Sequence, residues 1–166
     1  KHFIQITQND VRAVQLAKAA LYAGIRLLME RMETETIDRI RLAGAFGSHI
    51  DVKYAMVLGL IPDCNLEYVS SAGNAAGTGA RIALLNYESR KEIEEIVRQV
   101  EKVETAVEVK FQEHFVDAMA FPHKTDSFPN LAKAVVLPSE TNAQNKSDTN
   151  QLRKKRRHKK DDFQKF

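Results

Sequence analysis

All seven glycines of this 166-residue chain fall between residues 24 and 79, and five of them sit in two short runs, LAGAFGSHID (42 to 51) and GNAAGTGAR (73 to 81). Glycine marks places where the backbone leaves ordinary φ/ψ space or where something approaches it closely. Each run follows a β-like stretch, IDRIRLA (37 to 43) or LEYVSS (66 to 71), and each leads into a helix-like one. Strand, small-residue turn, helix is the arrangement that offers bare amides to a phosphate or sugar. Two such units in succession give a βαβα order and predict an α/β domain.

The length suits one domain, and 43% hydrophobic content is enough to bury a core. No apolar run approaches the roughly 20 residues that span a bilayer, and the start, KHFIQITQND, carries no cleavage-site pattern. The chain therefore reads as soluble and cytoplasmic, with no membrane partner. Its single cysteine, Cys64, supplies neither an internal disulfide nor a cysteine-rich metal or iron–sulfur site, and no metal site is expected. The chain opens on Lys1 rather than methionine, in what looks like a strand, so a fragment of a longer protein is expected. Charge is unevenly placed. Residues 139 to 166 hold 9 of the 25 Lys+Arg and 4 of the 22 Asp+Glu, a net of +5, which leaves 16 and 18, or −2, for residues 1 to 138.

Residues 2 to 6 (HFIQI) alternate weakly and predict a short strand. Thr7-Gln8-Asn9-Asp10 fits a capping box and predicts a long helix after it. On that helix Val11, Val14, Leu21, Ile25, Leu28 and Met32 share one face, and Ala13, Ala17, Ala20 and Gly24 form an adjoining stripe of small residues. Only a narrow polar strip with Arg12, Gln15, Arg26 and Glu30 remains, so the helix is expected to be covered on two sides. Asp51 caps a predicted helix over 52 to 59 that stops near Gly59 and Pro62. A further helix is expected over about 75 to 86. A second capping box, Ser89 to Glu92, predicts an amphipathic helix bearing Ile93, Ile96, Val97, Val100 and Val103, and a last helix is expected near 110 to 120. From Ser139 onward the chain has almost no apolar residues and is expected to be disordered.

The strings ITQNDVRAVQLAKAALYAGIRLL, IDRIRLAGAFGSHID, GNAAGTGARIALL and FQEHFVDAMAFP, in that order over roughly residues 3 to 131, resemble the carboxy-terminal part of the ATP-dependent reductive activators of corrinoid proteins. Those are iron–sulfur proteins whose ATPase domain has the actin, sugar-kinase and heat-shock-chaperone fold, which is ribonuclease H-like. The resemblance implies that residues 1 to 138 are most of the second lobe of that domain. LAGAFG then takes the place of the adenosine motif and GNAAGTGAR that of a connecting helix at the interlobe hinge. It implies reduction of Co(II) corrinoid to Co(I), driven by Mg–ATP, with electrons from an amino-terminal [2Fe–2S] domain of ferredoxin type. That domain and the first lobe with its phosphate loop are not in this sequence, so the chain alone is expected to be inactive.

On this reading Gly44, Ala45, Phe46 and Gly47 form a nucleotide face, with Phe46 either stacked on adenine or filling the core; the alternative is an ordinary tight turn. Gly73, Asn74, Gly77, Gly79 and Ala80 form the hinge helix, its bare face letting another helix cross closely, with Asn74 as cap. Lys18 lies within the apolar face of the first helix, where it either reaches a phosphate, ribose or carboxylate or extends its ammonium to the surface; Arg81 carries the same ambiguity. His49 with Asp51 is too sparse for a metal site, Cys64 reads as a thiol in a turn, and His114 needs no special role. RKKRRHKK (153 to 160) lacks interleaved aromatics, so nucleic acid is not expected and a solvated tail is. The expected partners are a corrinoid protein and the missing lobe and ferredoxin-like domain. Two other readings stay open: an activator of another low-potential enzyme such as a 2-hydroxyacyl-CoA dehydratase, and a non-catalytic binding module that uses the basic tail.

Overall fold

The computed structural model describes residues 4 to 105 and 107 to 137. The basic tail from 139 onward lies outside the described residues. Helix α1 (Gln8–Arg31) leads to strand β1 (Ile40–Ala43), the short helices α2 (Ala45–His49) and α3 (Val52–Val57), and strand β2 (Val69–Gly73). Then come α4 (Ala75–Leu85), α5 (Tyr87–Gln99), α6 (Phe111–Asp117) and α7 (Pro129–Ala134). The chain divides into two units, Lys1–Ala134, which holds every one of these elements, and Val135–Phe166.

Local signals set most of the boundaries. The Thr7 hydroxyl accepts the Asp10 N–H at 3.3 Å while the Asp10 carboxylate accepts the Thr7 N–H at 2.7 Å, which is the expected capping box at the start of α1. Asp51 accepts the Tyr54 N–H at 3.1 Å and starts α3. Three local readings are corrected. Residues 4 to 6 are an exposed irregular lead-in rather than part of a strand. Leu66–Tyr68 form a 3-10 turn, because Asn65 accepts the Glu67 N–H at 3.1 Å and folds the chain locally before the strand begins at Val69. The amphipathic helix starts at Tyr87, where Asn86 accepts the N–H groups of Glu88 and Ser89 and so takes the capping role ahead of the expected box.

Strands β1 and β2 are parallel neighbours, with Ile40 opposite Val69 and Ala43 opposite Gly73. Helix α1 packs on α6 and on the segment that follows it, and the buried core also takes in Ala55 and Met56 of α3 and Val69 of β2. Here the large face expected of α1 is not the buried one. Lys18, Ala19, Tyr22, Ala23, Leu27 and Met29 are buried, whereas Val14, Leu21, Leu28 and Met32 are exposed and so is most of the Ala13, Ala17 and Ala20 stripe. The polar strip is used instead. Gln15 donates to the Met119 carbonyl at 3.1 Å, and Glu30 lies 3.1 Å from His114 Nε2 and 3.2 Å from Lys110 Nζ.

Two long-range polar contacts tie distant segments together, one to α1 and one to α7. The Lys18 ammonium, wholly buried, donates to the carbonyls of Ala120 and, at 2.6 Å, Pro122, with the Phe121 ring centroid 5.0 Å away. Gly59, at φ +69°, makes room: a Cβ there would lie 2.0 Å from the Pro122 oxygen and 2.9 Å from Lys18 Nζ. Asp63 accepts from the Asn130 N–H, the Asn130 amide and the Leu131 N–H at 2.9 to 3.0 Å, and thereby caps α7 from 67 residues away.

Candidate functional site

Both glycine bends leave the same edge of the sheet, the one at the carboxyl ends of the parallel strands. Ala43 pairs with Gly73, and the Gly44 N–H donates to the Gly73 carbonyl at 2.8 Å, so the bends are joined at their first residues. In open parallel sheets that edge is where ligands bind. Gly44 has φ +97° and Gly73 φ +60°, conformations that L side chains rarely adopt. Beyond them the chain turns at once into α2 and α4.

The glycines divide by what surrounds them. A Cβ at Gly44, Gly73 or Gly79 would meet nothing within 4 Å, so open space stands over all three. A Cβ at Gly47 would lie 2.8 Å from the Leu42 oxygen, and one at Gly77 would lie 2.6 Å from the Asn74 amide nitrogen. Gly47 and Gly77 therefore serve close packing inside the chain, and Gly44 and Gly73 leave an uncovered face. Asn74 accepts the Gly77 N–H at 2.9 Å and caps α4, the role its position suggested. Ala45 is exposed at the start of α2, and Phe46 is the next residue of that helix. Ala80 is exposed too, and α4 buries no residue, so its small-residue face is uncovered among the described residues.

The ionisable groups of the two runs are His49, Asp51 and Arg81 only. The rim is nearly neutral, and an anion there would meet backbone donors, not a ring of side-chain charge. Asp51 is already engaged as the α3 cap. A Mg–triphosphate would thus need carboxylates from outside the bends.

Lys18 is not joined to the bends by any contact among the described residues. Burial pushes its pKa down to about 8, and the two carbonyl acceptors keep it protonated at neutral pH. Neither expectation for it describes this arrangement, a buried ammonium bound to protein carbonyls. Arg81 and His49 are exposed, and Cys64 is buried, which pushes its thiol pKa up. Sequence reasoning missed the group around Tyr22. Its hydroxyl donates to Asp126 at 2.8 Å, its ring lies 4.7 Å from that of His123, and Arg26 Nε stands 3.7 Å from the same carboxylate. Burial, with Asp126 beside it, raises the Tyr22 pKa and keeps the hydroxyl a donor. A tyrosine next to a run of alanines on a helix carries no signal of a partner 104 residues on.

Among the described residues no group of three His, Cys, Asp or Glu is placed to hold a metal ion, and no helix is long and apolar enough to cross a membrane. Comparison with known proteins places the chain in a family. Corrinoid activation enzyme RamQ of Eubacterium limosum is 45% identical to this chain over 115 residues, 68% of this chain and 19% of RamQ. A solved structure, a reductive activator for corrinoid, iron–sulfur protein, matches with a TM-score of 0.65 at 37% identity, covering 73% of this chain and 19% of that one. The chain thus spans about a fifth of the length of either relative. Residues 1–132 match the family described as the C-terminal domain of RACo, the ASKHA domain. With its parallel strand pair and its helices arranged as in that actin-like fold, the chain belongs to the C-terminal ASKHA-domain family of RACo.

Proposed function

We propose that this chain is the nucleotide-facing carboxy-terminal lobe of an activator that uses ATP to drive one electron from a [2Fe–2S] domain onto the Co(II) corrinoid of a partner protein, giving Co(I). The observation that carries the reading is the junction of the two bends, with Gly44 and Gly73 hydrogen-bonded at 2.8 Å and open space over both. Relatives named for corrinoid activation support the acceptor class. Bound ATP supplies the free energy of lobe closure. The chain's own part is to lay the backbone of Gly44, Ala45, Phe46 and Gly47 against the nucleoside side of the ligand and to let α4, through Gly73, Asn74, Gly77, Gly79 and Ala80, pivot beside it. Lys18 falls outside this set, since its donors go to Ala120 and Pro122. Mg and its carboxylates belong to the opposite lobe.

Gly44→Val cannot test this cleanly, because φ +97° makes any side chain there strained. Ala45→Asp can. Position 45 is exposed and opens a helix, where an aspartate is well tolerated. In the intact activator this substitution is expected to weaken ATP binding by about tenfold or more, by like-charge repulsion, with an unchanged circular dichroism melt. Unaltered affinity in a titration of the folded variant would remove the bends from the nucleotide site.

A further inference from the structure

We propose that residues 119–126 are a strap across α1 that opens locally in mild acid, with the His123 ring as its latch. Gln15, Lys18, Tyr22 and Arg26, spaced three, four and four residues apart, share one face of α1. In the same order they hold the strap. Gln15 donates to the Met119 carbonyl, Lys18 to those of Ala120 and Pro122, and Tyr22 to the Asp126 carboxylate, with Arg26 beside it. The strap contains no helix or strand and none of its residues is wholly buried, whereas Ala118 before it and Phe128 after it are buried. An irregular segment held by side chains between two buried anchors lies at the low-stability end of a fold and can open without the rest.

The latch works only as neutral imidazole. Nδ1 accepts the Asp126 N–H at 2.9 Å and the Thr125 N–H at 3.3 Å, which places the ring proton on Nε2. The side chain is 3% exposed and Nε2 is buried with no hydrogen-bond partner among the described residues, so the closed strap already holds one unmet donor. A second proton must go to Nδ1, where it faces two N–H groups instead of accepting from them. Asp126 Oδ1 stands 3.8 Å away, beyond hydrogen-bonding distance, and the other oxygen of that carboxylate is taken by Tyr22. The groups around the ring do not reverse this. Burial, with Lys18 and Arg26 of α1, outweighs Asp126 of the strap and Asp117 of α6, which is itself paired with Lys124. Tyr22, its ring 4.7 Å from that of His123, stays neutral. Opening gives the imidazole to water, where it takes the proton, and acid therefore favours the open strap.

Hydrogen exchange on the intact protein, corrected for the intrinsic effect of pH, tests this through the Thr125 and Asp126 amides. Between about pH 7.5 and 5.5 their protection is expected to fall by about tenfold, because an opened ring titrates near 6.5. At both pH values they are expected to exchange at least about tenfold faster than the best protected amides of α1, and with less dependence on urea, because local opening exposes less surface. His123→Asn keeps an acceptor for both N–H groups, as in an Asx turn, and takes up no proton in this range. Its strap is expected to be equally protected at the two pH values. A variant that responds to pH as wild type does overturns the proposal, and so does wild-type protection that stays constant at the strap. Strap and α1 amides that exchange together, with equal urea dependence, overturn it too, since the unit then opens only as a whole. Should the variant fail to fold, the wild-type comparison of strap with α1 decides alone.

Discussion

Lys18 shows how a buried charge is kept by geometry. Two main-chain carbonyls accept from it and an aromatic face lies beside it, so the loop carrying Ala120 and Pro122 is tied to the middle of α1. Lys18→Met is expected to leave both carbonyls without a partner and to cost about 1–3 kcal/mol, read as a lower urea midpoint. Its pH signature has a defined sign. With a folded pKa of about 8 against 10.5 unfolded, the native state releases its proton first, so between those values raising the pH stabilises the fold. The methionine variant should lack that rise. His123 works at the other end of the scale. Its Nδ1 accepts the Asp126 N–H at 2.9 Å, its Nε2 is buried without a hydrogen-bond partner, and burial, with help from Lys18 and Arg26 against Asp126 and Asp117, lowers its pKa from 6.5. The unfolded chain then takes up a proton that the native one refuses, and stability falls as pH drops below about 6.5. His123→Gln should flatten the melting-temperature profile between about pH 6.5 and 5, where few carboxylates titrate.

At the scale of elements, what could be read in advance was what is settled within four or five residues. Thr7 with Asp10, Asp51 with Tyr54, and Asn74 with Gly77 were all visible because cap and capped amide are close in sequence. The adjacency of the two glycine bends follows from the βαβα order, since consecutive strands separated by a short helical crossover tend to pair in parallel. Helix α7 was missed, because its cap, Asp63, stands 67 residues before it and nothing near Pro129 announces it. Asp63→Ala is expected to leave the Asn130 and Leu131 donors without their acceptor, cost about 1–3 kcal/mol, and raise amide exchange over 129 to 134 before the rest of the unit. The glycines of the bends separate by the same test of local space. Gly47→Ala would push a Cβ against the Leu42 main chain and should destabilise, whereas Gly79→Ala, in an uncovered stretch of α4, should stabilise by about 0.5–1 kcal/mol. A Gly79→Ala protein that is more stable yet slower in ATP-driven closure would support the hinge role proposed for α4 over simple packing.

For the molecule as a whole, the face that α1 buries was the least legible feature, because amphipathic pattern says which residues want cover and not which cover is present. The polar strip found its partners in α6 and the following loop, and the larger aliphatic face found none among the described residues. Two sides of cover were implied by a helix apolar nearly all round, and one side is supplied. Relatives of which this chain matches only about a fifth have the material for the other. Leu28, exposed by half, discriminates. In the 166-residue chain Leu28→Gln is expected to change stability by no more than about 0.5 kcal/mol and to reduce self-aggregation, since nothing described packs on that side. In an intact activator the same substitution should cost about 1.5–3 kcal/mol, the transfer free energy of a leucine moved from an interior to water. Equal effects in the two, measured by chemical denaturation, would mean that α1 keeps this face open in the longer protein as well, and that its aliphatic side serves a contact made between molecules rather than within one.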